Sequence, residues 1–146
     1  MDSKEFKKTF NEIASINSFE KAFGGWFKES LECIVVLDLQ KSNFGDYYEL
    51  NIKIFVQGMF GNAYVKGKDL VKKDTGNIFT RQPSNYRDVF NFDLPMSDEK
   101  RKLRLEKLFG EFIKPFADKA LSRQGIIELA SQEKIVLFPA VKDQLL

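Results

Sequence analysis

The chain has 146 residues, no histidine and one cysteine, and 23 Lys and Arg against 21 Asp and Glu give it a formal charge of +2. Without an imidazole it has no Ser-His-Asp or Cys-His nucleophile and no HExxH zinc site, and one thiol can neither close an internal disulfide nor build a Cys-rich zinc cluster. Its length and its hydrophobic fraction of 43% predict a single globular domain over residues 1–146.

The N-terminal segment predicts an amphipathic helix. Phe6, Phe10, Ile13 and Ile16 recur at spacings of four, three and three residues, with Lys and Glu between them. Ser3 is a candidate N-cap for this helix, because its hydroxyl could accept a bond from a free backbone N–H.

Two strands follow a turn at the glycine pair 24–25. Residues 31–40 follow a period-two pattern that is apolar on both faces near its middle, which is typical of a central strand, and Cys33 is expected in its buried core. Residues 47–57 alternate apolar with polar side chains. Because residues 41–46 favour a tight turn, the two strands predict an antiparallel hairpin.

The middle of the chain is less regular. Residues 58–76 contain four glycines and four lysines and predict a loop, with a short strand at 63–65. Residues 77–81 and 86–92 then suggest a second hairpin, joined across the Pro- and Asn-containing turn at 82–85.

The C-terminal part predicts helices. Ser97 is a candidate N-cap, and the acidic residues after it complement a helix dipole. The apolar stripe of this helix is Leu105, Leu108, Phe109, Phe112, Ile113 and Phe116. Pro115 should kink the helix or start a new one, and further helices are expected at 126–133 and after Pro139. The whole pattern predicts an α+β fold, with an N-terminal helix, an antiparallel sheet of about four to five strands and C-terminal helices packed on the sheet.

Several segments resemble a known family. They are GWFK at 25–28, IVVLDLQKS at 34–42, YELNI at 48–52, FIKPF at 112–116 and GIIEL at 125–129. Together they are similar to the bacterial domain of unknown function 4304 and span most of the chain. The resemblance implies this fold and a bacterial cytoplasmic setting. That family offers no established reaction to carry over, so the resemblance leaves the function open.

Gln40 and Asn51 are candidate binding residues, because each places an amide beside apolar strand sequence. Either amide could face a ligand. The alternative is that both bond to neighbouring backbone groups or face solvent, as most polar side chains do.

A second group of candidate binding residues consists of Trp26, Arg81, Tyr86 and Arg87. Guanidinium groups and aromatic rings dominate binding hot spots, so these side chains could line a groove for an anionic or aromatic partner. The alternative is that the arginines are solvated or paired with acids such as Asp88.

The sequence contains three other charged patterns. Residues 61–69 superficially resemble a phosphate loop, but five residues separate its glycines where the motif requires four, and Asp69 stands where Ser or Thr would hold magnesium. The basic cluster at 100–104 predicts an exposed helix face of mixed charge. The strand-associated acids could serve an enzyme if they converge in a cleft. These acids are Asp38, Glu49, Asp88 and Asp93.

No secretory signal and no stretch near the roughly 20 apolar residues of a membrane span are apparent in the sequence, so we expect a cytoplasmic protein without a membrane partner. The expected function is non-catalytic binding of a protein partner, as an accessory or immunity-like module, with no cofactor and no metal. One alternative is a hydrolase or transferase that uses carboxylates and Arg in a sheet-face cleft. Another is weak nucleic-acid binding through the basic C-terminal part, for which the charge asymmetry along the chain is too small to argue by itself.

Overall fold

A five-stranded antiparallel sheet, with its strands in chain order, organises the computed structural model, which describes residues 1–146. The strands are β1 (Glu20–Ala22), β2 (Gly25–Glu29), β3 (Cys33–Lys41), β4 (Tyr48–Val56) and β5 (Ile78–Arg81). The predicted hairpin of β3 and β4 is confirmed and forms the centre of the sheet. The edges of the sheet are β1 and β5.

Six α-helices surround the sheet. They are α1 (Ser3–Ile16), α2 (Lys68–Lys72), α3 (Asp98–Leu108), α4 (Lys114–Ala120), α5 (Arg123–Ser131) and α6 (Pro139–Leu145). The predicted α+β fold is therefore confirmed, with the N-terminal helix, the antiparallel sheet and the C-terminal helices in the expected order. No helix combines the length and apolar composition needed to cross a bilayer.

The main core lies between one face of the sheet and the helices. We call this the helical face; it carries Val35 and Leu37 of β3 and Ile52 and Ile54 of β4, all fully buried. Aromatic rings from α1 and the C-terminal helices pack onto it. The Phe10 ring lies 4.6 Å from that of Trp26 and 5.2 Å from that of Phe109, measured between centroids.

The opposite face of the sheet is covered only in part, by α2, and we call it the α2 face. Leu70 and Val71 of α2 pack there against Phe27, Val36 and Phe55 in a smaller apolar cluster. This cluster lies at one end of the face, and the polar end that remains holds the candidate site described below.

Of the two predicted helix N-caps, the structure confirms one and corrects the other. Ser97 is confirmed as the N-cap of α3, where its hydroxyl accepts from the Lys100 N–H at 3.1 Å. For α1 the prediction was wrong by one residue: Asp2 caps the helix and accepts from the Glu5 N–H at 2.8 Å, and Ser3 is the first helical residue. Asp and Ser cap helices about equally well, so composition alone does not separate them.

The second predicted hairpin is wrong. Residues 78–81 form β5, but Ser84–Phe90 is a 3-10 helix. Its buried side chains, Tyr86, Val89 and Phe90, follow a spacing of three and four residues instead of strand alternation.

Arg101 of α3 holds this segment in place. Its Nη1 donates to the carbonyls of Asp88, Val89 and Asn91 at 3.1, 2.7 and 3.1 Å, and its Nη2 donates to the carbonyl of Leu94 at 3.3 Å. Arg101 is only 3% exposed, so the expectation of a wholly exposed mixed-charge face at 100–104 is wrong at this position.

The predicted strand at 63–65 does not form either. The side chain of Gln57 bonds both backbone groups of Tyr64, accepting from its N–H at 2.7 Å and donating to its carbonyl at 2.9 Å. These bonds take the place of a strand partner, and the loop instead contains a short 3-10 turn (Met59–Gly61) and α2.

The long C-terminal helical stripe is confirmed, with a change of geometry before Pro115. Residues Phe109–Ile113 form a π-helical turn, and the Lys114 N–H donates to the Phe109 carbonyl five residues back. Pro115, which has no N–H to donate, then lies in the first turn of α4. The helices expected near 126–133 and after Pro139 are also confirmed, as α5 and α6.

Arg101 should be a major determinant of stability. Because Arg101→Met leaves four carbonyls without their donor, we expect a loss of about 2–3 kcal/mol in the free energy of unfolding, measured by urea denaturation. Lys102→Met on the exposed side of the same helix is the matched control and should remain close to wild type. Equal stability of the two variants would contradict this role.

Cys33 should be inert in the native protein. Its thiol is fully buried, and burial, with a smaller contribution from Glu32, raises its pKa to about 12. Because the thiolate is the reactive form, an aromatic disulfide reagent at mildly alkaline pH should label no thiol in the folded protein and one per chain in denaturant. Rapid labelling of the folded protein would show that the strand opens.

Candidate functional site

A row of polar side chains crosses the uncovered end of the α2 face. Strand register places Asp38 of β3 opposite Asn51 of β4, and Asn51 opposite Arg81 of β5. Gln40 lies two residues along β3 from Asp38, and Lys53 lies two residues along β4 from Asn51, so both share this face. Five polar side chains from three adjacent strands are thereby brought together.

Hydrogen bonds link the row. Arg81 Nε donates to Asn51 Oδ1 at 3.0 Å, and Asn51 Nδ2 donates to Gln40 Oε1 at 2.9 Å and to Asp38 Oδ2 at 3.3 Å. Asn51 is only 4% exposed and is therefore the fixed centre of the network. Neither Nη group of Arg81 is bonded within the chain, so the outer donors of the exposed guanidinium have no partner among the groups of the chain.

Lys53 joins this network to α2. Its Nζ donates to the carbonyl of Val71 at 2.6 Å and to that of Leu70 at 3.5 Å, and it lies 4.0 Å from Asp38 Oδ2. Burial lowers the pKa of Lys53, and Asp38 and Asp74 partly oppose this effect. A buried cation thus attaches the C-terminal end of α2 to the sheet and faces the Asp38 carboxylate.

The row forms the floor of a cavity of about 760 Å³ that we call the sheet cleft. Its lining residues are Lys7, Asp38, Leu39, Gln40, Lys41, Tyr48, Asn51, Lys53, Lys72, Lys73, Asp74, Thr75, Phe79 and Arg81. Six cationic side chains against two carboxylates give the lining a formal charge of +4. Lys72 Nζ lies 3.8 Å from Asp38, whereas Lys73 is exposed and makes no ion pair.

Three of the six candidate binding residues meet in the sheet cleft, namely Gln40, Asn51 and Arg81. Arg87 is exposed beside a smaller cavity of about 240 Å³.

The remaining two candidates, Trp26 and Tyr86, are buried in the core on the helical face. Trp26 Nε1 donates to Asn11 Oδ1 at 3.0 Å, and the Tyr86 hydroxyl donates to Glu111 Oε2 at 3.4 Å. The structure therefore does not bring the aromatic pair to the groove that the sequence suggested.

The strand-associated acids do not converge. Asp38 lines the sheet cleft, but Glu49 accepts from Gln82 Nε2 at 3.0 Å and Asp88 pairs with Arg104 at 2.8 Å. Asp93 accepts from the Asp46 N–H at 3.0 Å. No group of three or more His, Cys, Asp or Glu is placed to hold a metal ion.

Sequence reasoning missed several residues of the cleft, among them Lys53, Lys72, Lys73 and Phe79. The signal for Lys53 was present, because polar residues alternate along both central strands and a hairpin register would have placed them on one face. Lys72 gave no comparable signal, since its position depends on how α2 docks onto the sheet.

A second concavity, of about 550 Å³, lies between α5 and α6. Its lining is mostly apolar and includes Ile135, Val136 and Leu146, of which Val136 is 85% exposed. It carries no network of converging polar groups, and nothing in the structure shows what covers it.

Comparisons with protein-family models, curated proteins and solved structures find no significant match to this chain. The resemblance to the bacterial domain of unknown function 4304 therefore stays a prediction from the sequence, and the geometry of the cleft is the basis for any functional proposal.

The pairing of Asp38 with Lys53 leads to a pH-dependent prediction. Asp38→Asn removes a counter-charge from a buried ammonium group, so we expect a loss of about 1–3 kcal/mol in the free energy of unfolding at neutral pH. Because burial holds the folded pKa of Lys53 below its ordinary value, the amine becomes neutral in the folded protein first as pH rises. The deficit should therefore shrink as pH rises through that lowered pKa.

The control for this prediction is the same substitution in a Lys53→Met background, with urea denaturation at neutral and at alkaline pH. In that background, Asp38→Asn should lower the free energy of unfolding much less, and this loss should depend little on pH. An equal loss in both backgrounds would mean that the carboxylate acts through its other partners.

Proposed function

We propose that the protein is a non-catalytic binding module of a bacterial cytoplasm, accessory or immunity-like, that binds an acidic surface of a protein partner through the sheet cleft. The observation that carries this proposal is the cleft charge of +4 together with donors that no group of the chain uses, above all the Nη groups of Arg81. Guanidinium and ammonium groups at such a surface attract and orient carboxylates.

The two carboxylates of the lining favour a protein over a nucleic acid. Asp38 and Asp74 would repel a chain that carries a phosphate at every step, whereas a protein segment can place acids against the lysines and a donor against Asp74. Two of the four bases in the basic cluster of α3 are also engaged internally, since Arg101 bonds to backbone carbonyls and Arg104 bonds to Asp88.

The enzyme alternative has one supporting observation, which is that Asp38 and Arg81 line the same cleft. Asp38, however, accepts a hydrogen bond from Asn51 and lies between Lys53 and Lys72, so its carboxylate is already engaged by groups of the chain. This arrangement suits a carboxylate that holds its neighbours in place better than one that must be free to reach a substrate.

Charge reversal in the cleft tests the proposal. Lys73→Glu with Arg81→Ala should weaken capture of an acidic partner from the native host's lysate at least tenfold, because both side chains face the cleft and Arg81 uses only Nε within the chain. The measurement is affinity capture on the immobilised protein with quantitative mass spectrometry, repeated across salt concentrations.

The matched control is Lys102→Glu with Lys107→Ala, which changes the charge of the chain equally on exposed positions of α3. It should capture the same partner as the wild type. The proposal is wrong if the cleft variant, shown by urea denaturation to be folded, captures that partner as well as the control does, or if the captured species is nucleic acid.

A further inference from the structure

The edge strand β5 borders the sheet cleft, and β4 is the one element that packs extensively against it. Backbone bonds show which residues of β4 face β5. The Ile54 carbonyl accepts from the Asn77 N–H at 2.9 Å, and the N–H groups of Leu50 and Val56 donate to the side chains of Gln82 and Asn77 at 2.8 Å each. Even-numbered residues of β4 therefore direct their backbone groups toward β5.

The strand register then determines, for every residue of β5, whether its backbone N–H and C=O groups point toward β4 or away from the sheet. Ile78 pairs with Ile54 and Thr80 pairs with Ile52, so these two residues direct their backbone groups inward, toward β4. Phe79 and Arg81, which alternate with them, direct their N–H and C=O groups outward. No backbone or side-chain group of the chain bonds to these outward groups.

The same two residues also present their side chains to the cleft. Phe79 is 42% exposed, and the Arg81 guanidinium carbon lies 5.6 Å from the centre of its ring. A strand paired with β5 would therefore bond to the backbones of Phe79 and Arg81 and, at alternate positions, place its side chains over the cationic lining.

We propose that the partner supplies an extended acidic segment that adds to β5 as a sixth, antiparallel strand, with its alternate carboxylates facing Arg81 and Lys73. This inference rests on the proposed function and specifies how the partner binds. Charge complementarity favours this edge over β1, because β1 carries one exposed acid and one exposed base, Glu20 and Lys21, and Glu20 is already paired with Lys66 at 3.1 Å, whereas the lining beside β5 has a formal charge of +4.

Backbone methylation provides a test that leaves the protein unchanged. In antiparallel addition, a peptide residue opposite Phe79 or Arg81 bonds to β5 through its backbone and carries its side chain on the cleft side. The probe is a capped heptapeptide of alternating Thr and Glu. Two further versions carry N-methyl groups either on the Glu residues or on the Thr residues, and the isotope-labelled protein is followed by NMR titration.

We expect the unmodified peptide to shift the amide resonances of Phe79 and Arg81 and to slow their hydrogen exchange. N-methylation of the Glu residues should weaken binding at least tenfold, because it removes the donors that pair with β5, while N-methylation of the Thr residues should weaken it far less. An alternating Thr and Lys peptide is the charge control and should not bind.

Equal binding by the Glu-methylated and unmodified peptides would overturn strand addition, as would the absence of shifts at Phe79 and Arg81 at about millimolar peptide. Either result leaves charge-dependent capture of a partner intact, so the failure of strand addition is distinct from the failure of the proposed function. A single-stranded oligonucleotide that shifts the same amides more strongly than the acidic peptide would also overturn it.

Discussion

The register of the β3–β4 hairpin is the constraint on which the other arrangements depend. Nine consecutive pairs, from Cys33 with Val56 to Lys41 with Tyr48, place apolar side chains on the helical face and Asp38 opposite Asn51 on the other. A slip of one residue would reverse every side chain of a strand. Because burial of each large apolar side chain stabilises by about 1.5–3 kcal/mol, packing on the helical face fixes the polar row without any contribution from a ligand.

The sheet cleft exists because α2 covers only part of its face. The helix has five residues, and Lys53 bonds to the carbonyls at its C-terminal end, where apolar cover gives way to the polar row. The chain then returns to the sheet at Gly76, whose φ is +85° and where a Cβ would lie 3.0 Å from the Ile54 carbonyl oxygen. This close approach requires glycine and brings β5, with Arg81, to the border of the cleft.

Local periodicity predicted the elements whose stability comes from one repeated apolar face, such as α1, α3 and the central hairpin. It failed where the conformation depends on a side chain distant in the sequence. Arg101 donates hydrogen bonds to backbone carbonyls of the segment after β5, and the side chain of Gln57 bonds to the backbone of Tyr64 in place of a neighbouring strand. The candidate site was likewise predictable in part from local sequence and in part only from contacts between distant segments. Gln40 and Asn51 could be selected by residue type, but their meeting with Arg81 depends on pairing across three strands, and Lys72 depends on the docking of a short helix.

The charged groups of the cleft divide into those that hold the structure and those that remain free. Asp38, Asn51 and Lys53 are buried and bonded to one another or to α2, so changes to them act first on stability. Lys73 and the outer donors of Arg81 are exposed, where repulsion between like charges is weak and screened by salt. Since the whole chain carries +2 and the cleft lining +4, the rest of the molecule sums to −2. This separation of charge attracts acidic groups in general toward the face that carries the free donors.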